Sequence, residues 1–199
     1  MKKLALFASG SGTNAENLIR YFSNSKQFEV SIVLCNKSDA FVLERAKKLS
    51  VPSIVFDKSQ LNCQDEWTNE GKPSIISILR QNEIFSIILA GFLMMVPKHL
   101  IEAYPGKIIN IHPALLPKYG GKGMHGMHVH EAGIAAKEEE TGITIHLVDE
   151  FYDHGKCLFQ AKCEVLPCDT AKDVAVKIHL LEQEYFPQVV EDYLSANFL

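Results

Sequence analysis

The sequence predicts an α/β fold: a Rossmann-like, mostly parallel sheet with helices on both faces. Three observations carry this. Short apolar runs rich in β-branched residues, at 4–8, 85–90 and 107–111, are hydrophobic without strict alternation, which is how strands covered on both faces read. Stretches with helical character stand between such runs at βαβ spacing. The first run opens into a glycine-rich turn, Ser9-Gly10-Ser11-Gly12-Thr13-Asn14, with a helical pattern at 15–22 behind it. At 199 residues, 47% of them hydrophobic, the chain is long enough for a sizeable core and reads as one domain over 1–199.

The glycine-rich turn is the first candidate site. Glycines let the backbone approach an anion closely, and the helix start behind them offers free N–H groups and the positive end of the dipole. Gly12, Thr13 and Asn14 are therefore phosphate candidates. Gly10, Gly12 and Ala15 also fit the dinucleotide fingerprint, which needs an acidic residue about 20 positions on, at the end of the second strand. That strand, at 28–35, ends instead in Asn36-Lys37-Ser38, so a monophosphate fits better than a nicotinamide dinucleotide.

A helix over 40–49, a short strand at 53–56, a polar connection over 57–64 and a longer helix over 66–81 are expected next. The strand at 85–90 runs into Gly91-Phe92-Leu93-Met94-Met95-Val96, a soft apolar loop before a helix that starts at Pro97. Thioether side chains adapt to flat ligands, but on composition this loop reads as core. A glycine- and histidine-rich loop over 118–130 leads to a helix at 131–137. Its His125, His128 and His130 read as solvent-facing or phosphate-contacting, since only Glu131 stands near them at metal-ligand spacing. The loop's glycines carry a high ordering cost, which suits a segment that closes on a ligand.

Alternation marks a strand at 141–148; an acidic loop over 149–155 and a strand at 157–163 follow. The final helix begins at Thr170, with Asp173 placed as in a capping box, and its stripe of Val174, Ile178, Leu181, Tyr185 and Val189 should be buried. Glu182 borders that stripe, where it would serve either a structural salt bridge or a ligand amine. Pro187 should kink the helix or divide it in two.

A net charge of −4 with no Lys/Arg-dense stretch argues against nucleic-acid binding. No apolar run approaches the roughly 20 residues that span a bilayer, and 4–8 is too short for the core of a signal peptide. Five cysteines without a C-x-x-C pair read as reduced thiols in a cytoplasmic protein, without zinc.

The second candidate site lies in Ile108-Ile109-Asn110-Ile111-His112-Pro113, where an amide and an imidazole leave an apolar run. Two positions apart on a strand, Asn110 and His112 share one face. Pro113 ends the ladder, so the pair stands at the strand's carboxyl end, where ligands bind in open α/β sheets. In the acidic loop, Asp153 lies in an Asp-His-Gly turn, and an Asn/His acyl-transfer centre needs a carboxylate.

The string Asn110-Ile-His112-Pro113-Ala-Leu-Leu-Pro117 resembles the signature of the folate-dependent formyltransferases. Over nearly its whole length the chain is similar to the members that act on glycinamide ribonucleotide, through the 9–14 turn, Ala90-Gly91-Phe92, Thr144-Ile-His146 and Tyr152-Asp153-His154-Gly155. The resemblance implies transfer of the formyl group of 10-formyltetrahydrofolate to the ribonucleotide's amine in purine synthesis, with no metal. It implies Asn110, His112 and Asp153 as the catalytic trio, with Asn110 and a protonated His112 on the oxyanion and Asp153 holding the imidazolium or relaying a proton. Gly12, Thr13 and Asn14 would take the phosphate, and Glu182 the glycinamide end. Leu93, Met94, Val96, Val148 and Glu150 would lie beside the pterin. A cis bond is expected at Leu116-Pro117.

Three features depart from the family's pattern: Met94 replaces an arginine, Gly155-Lys156 stands for Gly-Pro, and the segment at 120–127 is longer than in compact relatives. A formyltetrahydrofolate hydrolase and a non-catalytic nucleotide-binding module are the rival readings. The first usually carries an N-terminal domain for which strand one leaves no room, and the second leaves Asn110 and His112 unexplained. Partners are expected to be small molecules, and the protein a monomer or homodimer.

Overall fold

The structure is a computed structural model that describes residues 1–198. The chain divides into two compact units, Met1–Ile108 and the part from Ile109 on. In the first unit the elements alternate: β1 (Lys2–Ala8), α1 (Thr13–Phe22), β2 (Phe28–Cys35), α2 (Val42–Lys48), β3 (Ser53–Val55), α3 (Lys58–Asn62), α4 (Ile75–Gln81), β4 (Ile84–Leu89) and α5 (Lys98–Ala103). Its strands run in the order β3-β2-β1-β4, and every pair is parallel, as the unbroken apolar runs require. Leu4, Ala5, Leu6, Phe7 and Ala8 of the central strand are wholly buried. Phe7 meets the edge of Phe92 with ring centroids 5.3 Å apart, so the loop after β4 starts as core.

The helix expected over 66–81 is confined to α4, and α3 occupies the stretch expected to be a polar connection. Local chemistry explains both differences. Pro73 disfavours helical backbone at Lys72, Gly71 takes a φ of 75°, and Ser74 caps α4 by accepting the Ser77 N–H. Asp57 and Gln60 form a full capping box that starts α3 inside polar sequence. The helix expected over 40–49 is likewise shorter, as α2.

The second unit holds the rest of β5 (Ile108–His112), then α6 (Met127–Ala135), β6 (Glu140–Leu147), β7 (Cys157–Glu164) and α7 (Ala171–Phe198). Its strands run β5-β6-β7, both pairs antiparallel. The long helix α7 packs on α6, β6 and β7. Its buried stripe is Val174, Ile178, Phe186, Pro187, Val190 and Leu194, so the expected continuation through Leu181, Tyr185 and Val189 is rotated off the core. Pro187 lies within this uninterrupted helix and does not divide it; its neighbours Phe186 and Val190 are both fully buried, and that packing holds the helix through the missing N–H. α6 starts before the expected 131, after Gly126 with a φ of 56°, so His128 and His130 are helical. His130 is 7% exposed, which corrects the expectation of a solvent-facing ring. Among the described residues no helix is long and apolar enough to cross a membrane.

Candidate active site

The register of β5 against β6 builds the polar centre. Asn110 lies opposite His146 and His112 opposite Thr144, which puts four polar side chains on one face of two neighbouring strands. Thr144 is fully buried and secures the chain after β5: its hydroxyl donates to Ala114 O at 2.7 Å and accepts the Leu116 N–H at 3.0 Å. The Leu116–Pro117 bond just beyond is cis, as expected.

Asp153 enters from the turn after β6. Gly155 makes that turn fit, since a Cβ there would sit 1.9 Å from Leu147 O. Asp153 itself has a φ of 53°, a left-handed conformation that aspartate tolerates better than most residues. One carboxylate oxygen accepts the Gly121 N–H at 2.9 Å. The other lies 3.5 Å from His112 Nδ1 and 3.7 Å from His146 Nε2.

The ring nitrogens resolve themselves by their partners. Tyr119 O is an acceptor only, so His112 donates to it from Nε2, at 2.7 Å. Leu147 O takes the proton of His146 Nδ1 at 2.8 Å, which leaves Nε2 to accept from Asn110 Nδ2 at 3.0 Å. That bond fixes which way the Asn110 amide points.

His112 is 4% exposed. Burial pulls its pKa below the ordinary 6.5, and the opposing pull of Asp153 and Tyr119 O does not offset this. The resting ring is therefore neutral at pH 7. Burial would by itself raise the Asp153 carboxyl, but His146, the His112 ring and the Gly121 N–H together hold it below 3.8. Glu182 on α7 is half-buried with His179 Nδ1 at 3.5 Å, and its charge acts on both His112 and His130. Asn110, His112, Asp153 and Glu182 are thus gathered in the second unit. His146, the Tyr119 carbonyl and the Gly121 N–H belong to the same network and were not assigned from sequence. The spacing of Thr144 and His146, two apart as Asn110 and His112 are, was the available signal.

The phosphate candidates stand in the first unit, at the start of α1. Gly12 has a φ of 76° and a Cβ there would come within 2.5 Å of Val42, so no other residue fits. It caps α1 without a side-chain hydrogen bond. Thr13 is half-buried and Asn14 is 8% exposed, with an Oδ1 that has no partner among the described residues. Ser9 ties the strand ends together, donating to Asn36 Oδ1 at 2.6 Å and accepting the Leu93 N–H at 3.0 Å.

The pterin candidates divide between the units. Leu93 is 42% exposed, whereas Val96 is buried in the core. Met94 lines a cavity of about 660 Å³ with Asn36, Phe56, Asp57, Lys58 and Lys72. Val148 and Glu150 follow β6, half-buried and exposed respectively. Among the described residues no three His, Cys, Asp or Glu side chains form a set that could hold a metal ion.

Comparison with known proteins agrees with this arrangement. The chain matches the formyl transferase family over residues 2–190. It is 35% identical to phosphoribosylglycinamide formyltransferase of Bacillus subtilis (strain 168), covering 99% of this chain and 97% of that protein. It is 38% identical to the chloroplastic phosphoribosylglycinamide formyltransferase of Vigna unguiculata over 96% of this chain, and spans 60% of that relative's length. The crystal structure of phosphoribosylglycinamide formyltransferase from Bacillus halodurans superposes with a TM-score of 0.84 at 34% identity, covering 98% of this chain and 96% of that one. A match over this much of the chain, joined to an Asn110-Ile-His112-Pro113 strand end with Asp153 beside it, shows that the protein belongs to the formyl transferase family.

Proposed function

We propose that this protein, as a single formyltransferase domain in the cytoplasm, transfers the formyl group of 10-formyltetrahydrofolate to the amine of glycinamide ribonucleotide. The observation that carries the reading is the grouping of half-buried Asn110 and Asp153 about the buried His112, with the amide and the ring each held by a defined partner. The amine attacks the formyl carbon, a C–N bond forms, and negative charge develops on the formyl oxygen. Asn110, held by His146, and His112 Nε2–H are the donors for that oxyanion. His112 gives up Tyr119 O to take this role. As the bond from carbon to the folate nitrogen breaks, the proton lost by the amine must reach that nitrogen. Asp153, ionised beside His112, supports transient protonation of the ring on that route. Gly12, Thr13 and Asn14 take the phosphate, Glu182 the glycinamide end, and Leu93, Met94, Val96, Val148 and Glu150 the pterin side.

The test is an assay with and without the ribonucleotide. Formylated ribonucleotide formed in step with tetrahydrofolate supports the reading. Folate release at the same rate without ribonucleotide would make the protein a hydrolase, and no turnover in either arm would leave the binding-module reading.

A further inference from the structure

We propose that His130 is a further residue of the ribonucleotide subsite, its Nδ1 hydrogen-bonding a substrate hydroxyl beside Glu182; the inference rests on the function proposed above. His130 lies on α6, a helix that packs against α7, which carries Glu182, and is 7% exposed. Its Nδ1 is buried and has no hydrogen-bond partner among the described residues. Buried polar atoms are almost always paired, and an unpaired one weakens the fold, so its presence calls for a partner that arrives later.

The ring's surroundings say which partner. Burial lowers its pKa, so the imidazole is neutral at pH 7, and the ionisable groups acting on it are Glu182 and His112, both of the candidate site. A neutral imidazole nitrogen donates or accepts according to tautomer, and a hydroxyl serves either case, whereas a carboxylate such as Glu182 only accepts. With Glu182 on the glycinamide end and Asn110 and His112 occupied by the reacting amine and formyl groups, the hydroxyls of the adjoining ribose are the substrate groups left for His130. Access does not require unfolding. A half-turn about Cβ–Cγ exchanges Nδ1 with Cδ2 without changing the ring's outline, and the segment before α6 contains Gly121, Gly123 and Gly126, all at positive φ with open space around them.

The experiment compares His130→Leu, His130→Asn and the intact protein in equilibrium binding of glycinamide ribonucleotide, binding of a folate co-substrate analogue, and thermal denaturation. Asn places a polar atom where imidazole has Nδ1. The inference expects His130→Leu to keep or raise the Tm, bind the folate analogue normally and weaken ribonucleotide binding about tenfold or more, with His130→Asn recovering most of that loss. Unchanged ribonucleotide affinity in His130→Leu, or equal losses for both ligands with a lowered Tm in both variants, would overturn it. Failure of the intact protein to bind the ribonucleotide would instead overturn the function on which it rests.

Discussion

His112 stands between two acceptors, Tyr119 O and the Asp153 carboxylate, a setting that favours the imidazolium, and yet burial prevails and keeps the ring neutral. A ring so placed is ready to take a proton during reaction. Its NMR titration midpoint should lie below 6.5, and lower still in Asp153→Asn, because that substitution removes the main attraction opposing burial. A midpoint above 6.5 in the intact protein would contradict this balance. Asn110 is ordered differently, by a single bond to His146 whose own ring is fixed by Leu147 O. The spacing of Thr144 and His146 marks a polar strand face but by itself assigns a role to neither His146 nor the Tyr119 carbonyl. The first acquires its role only through register with β5, and the second is a backbone group.

At the scale of elements, the turn after β6 and the start of α1 each depend on one glycine. Gly155→Ala would drive a methyl group against Leu147 O, and should destabilise the protein by about 2–3 kcal/mol while disordering the turn that presents Asp153. Denaturant unfolding of that variant measures the first effect, and its residual formyl transfer the second. Thr13→Val at the start of α1 should raise the KM for ribonucleotide and leave kcat nearly unchanged, because a phosphate contact is made equally in ground and transition states. Loss of kcat at constant KM would remove Thr13 from that role. Strands buried on both faces were legible because composition alone marks them. The boundaries of α3 and α4 were not, because a capping box at Asp57 and the Gly71 to Ser74 turn overrode the coarser pattern. In α7 the stripe shifted beyond Ile178, since Phe186 rather than Tyr185 meets the core and only the tertiary packing decides between neighbours.

For the whole molecule, buried histidines set the response to acid. His112 and His130 are both held below 6.5 by burial, so as pH falls the unfolded chain takes up those protons first. Their neutral burial supports the fold fully above pH 6.5, and this support is lost as pH falls from there toward their folded values. Asp153, lowered from 3.8, is lost only at still lower pH. The Tm should therefore begin to fall between pH 6.5 and 5, before carboxylates protonate, and His130→Leu should flatten part of that slope. A Tm constant from pH 7 to 5 would contradict the assignment.

The most direct test of formyl transfer at this centre is single-turnover transfer from 10-formyltetrahydrofolate to glycinamide ribonucleotide, measured for the intact protein and for Asn110→Ala, with ribonucleotide affinity measured in parallel. Loss of one oxyanion donor should slow transfer by about 10²–10³ and leave the ribonucleotide Kd within a few-fold. A near-normal rate in Asn110→Ala would contradict the mechanism, as would a slow rate explained wholly by lost ribonucleotide binding.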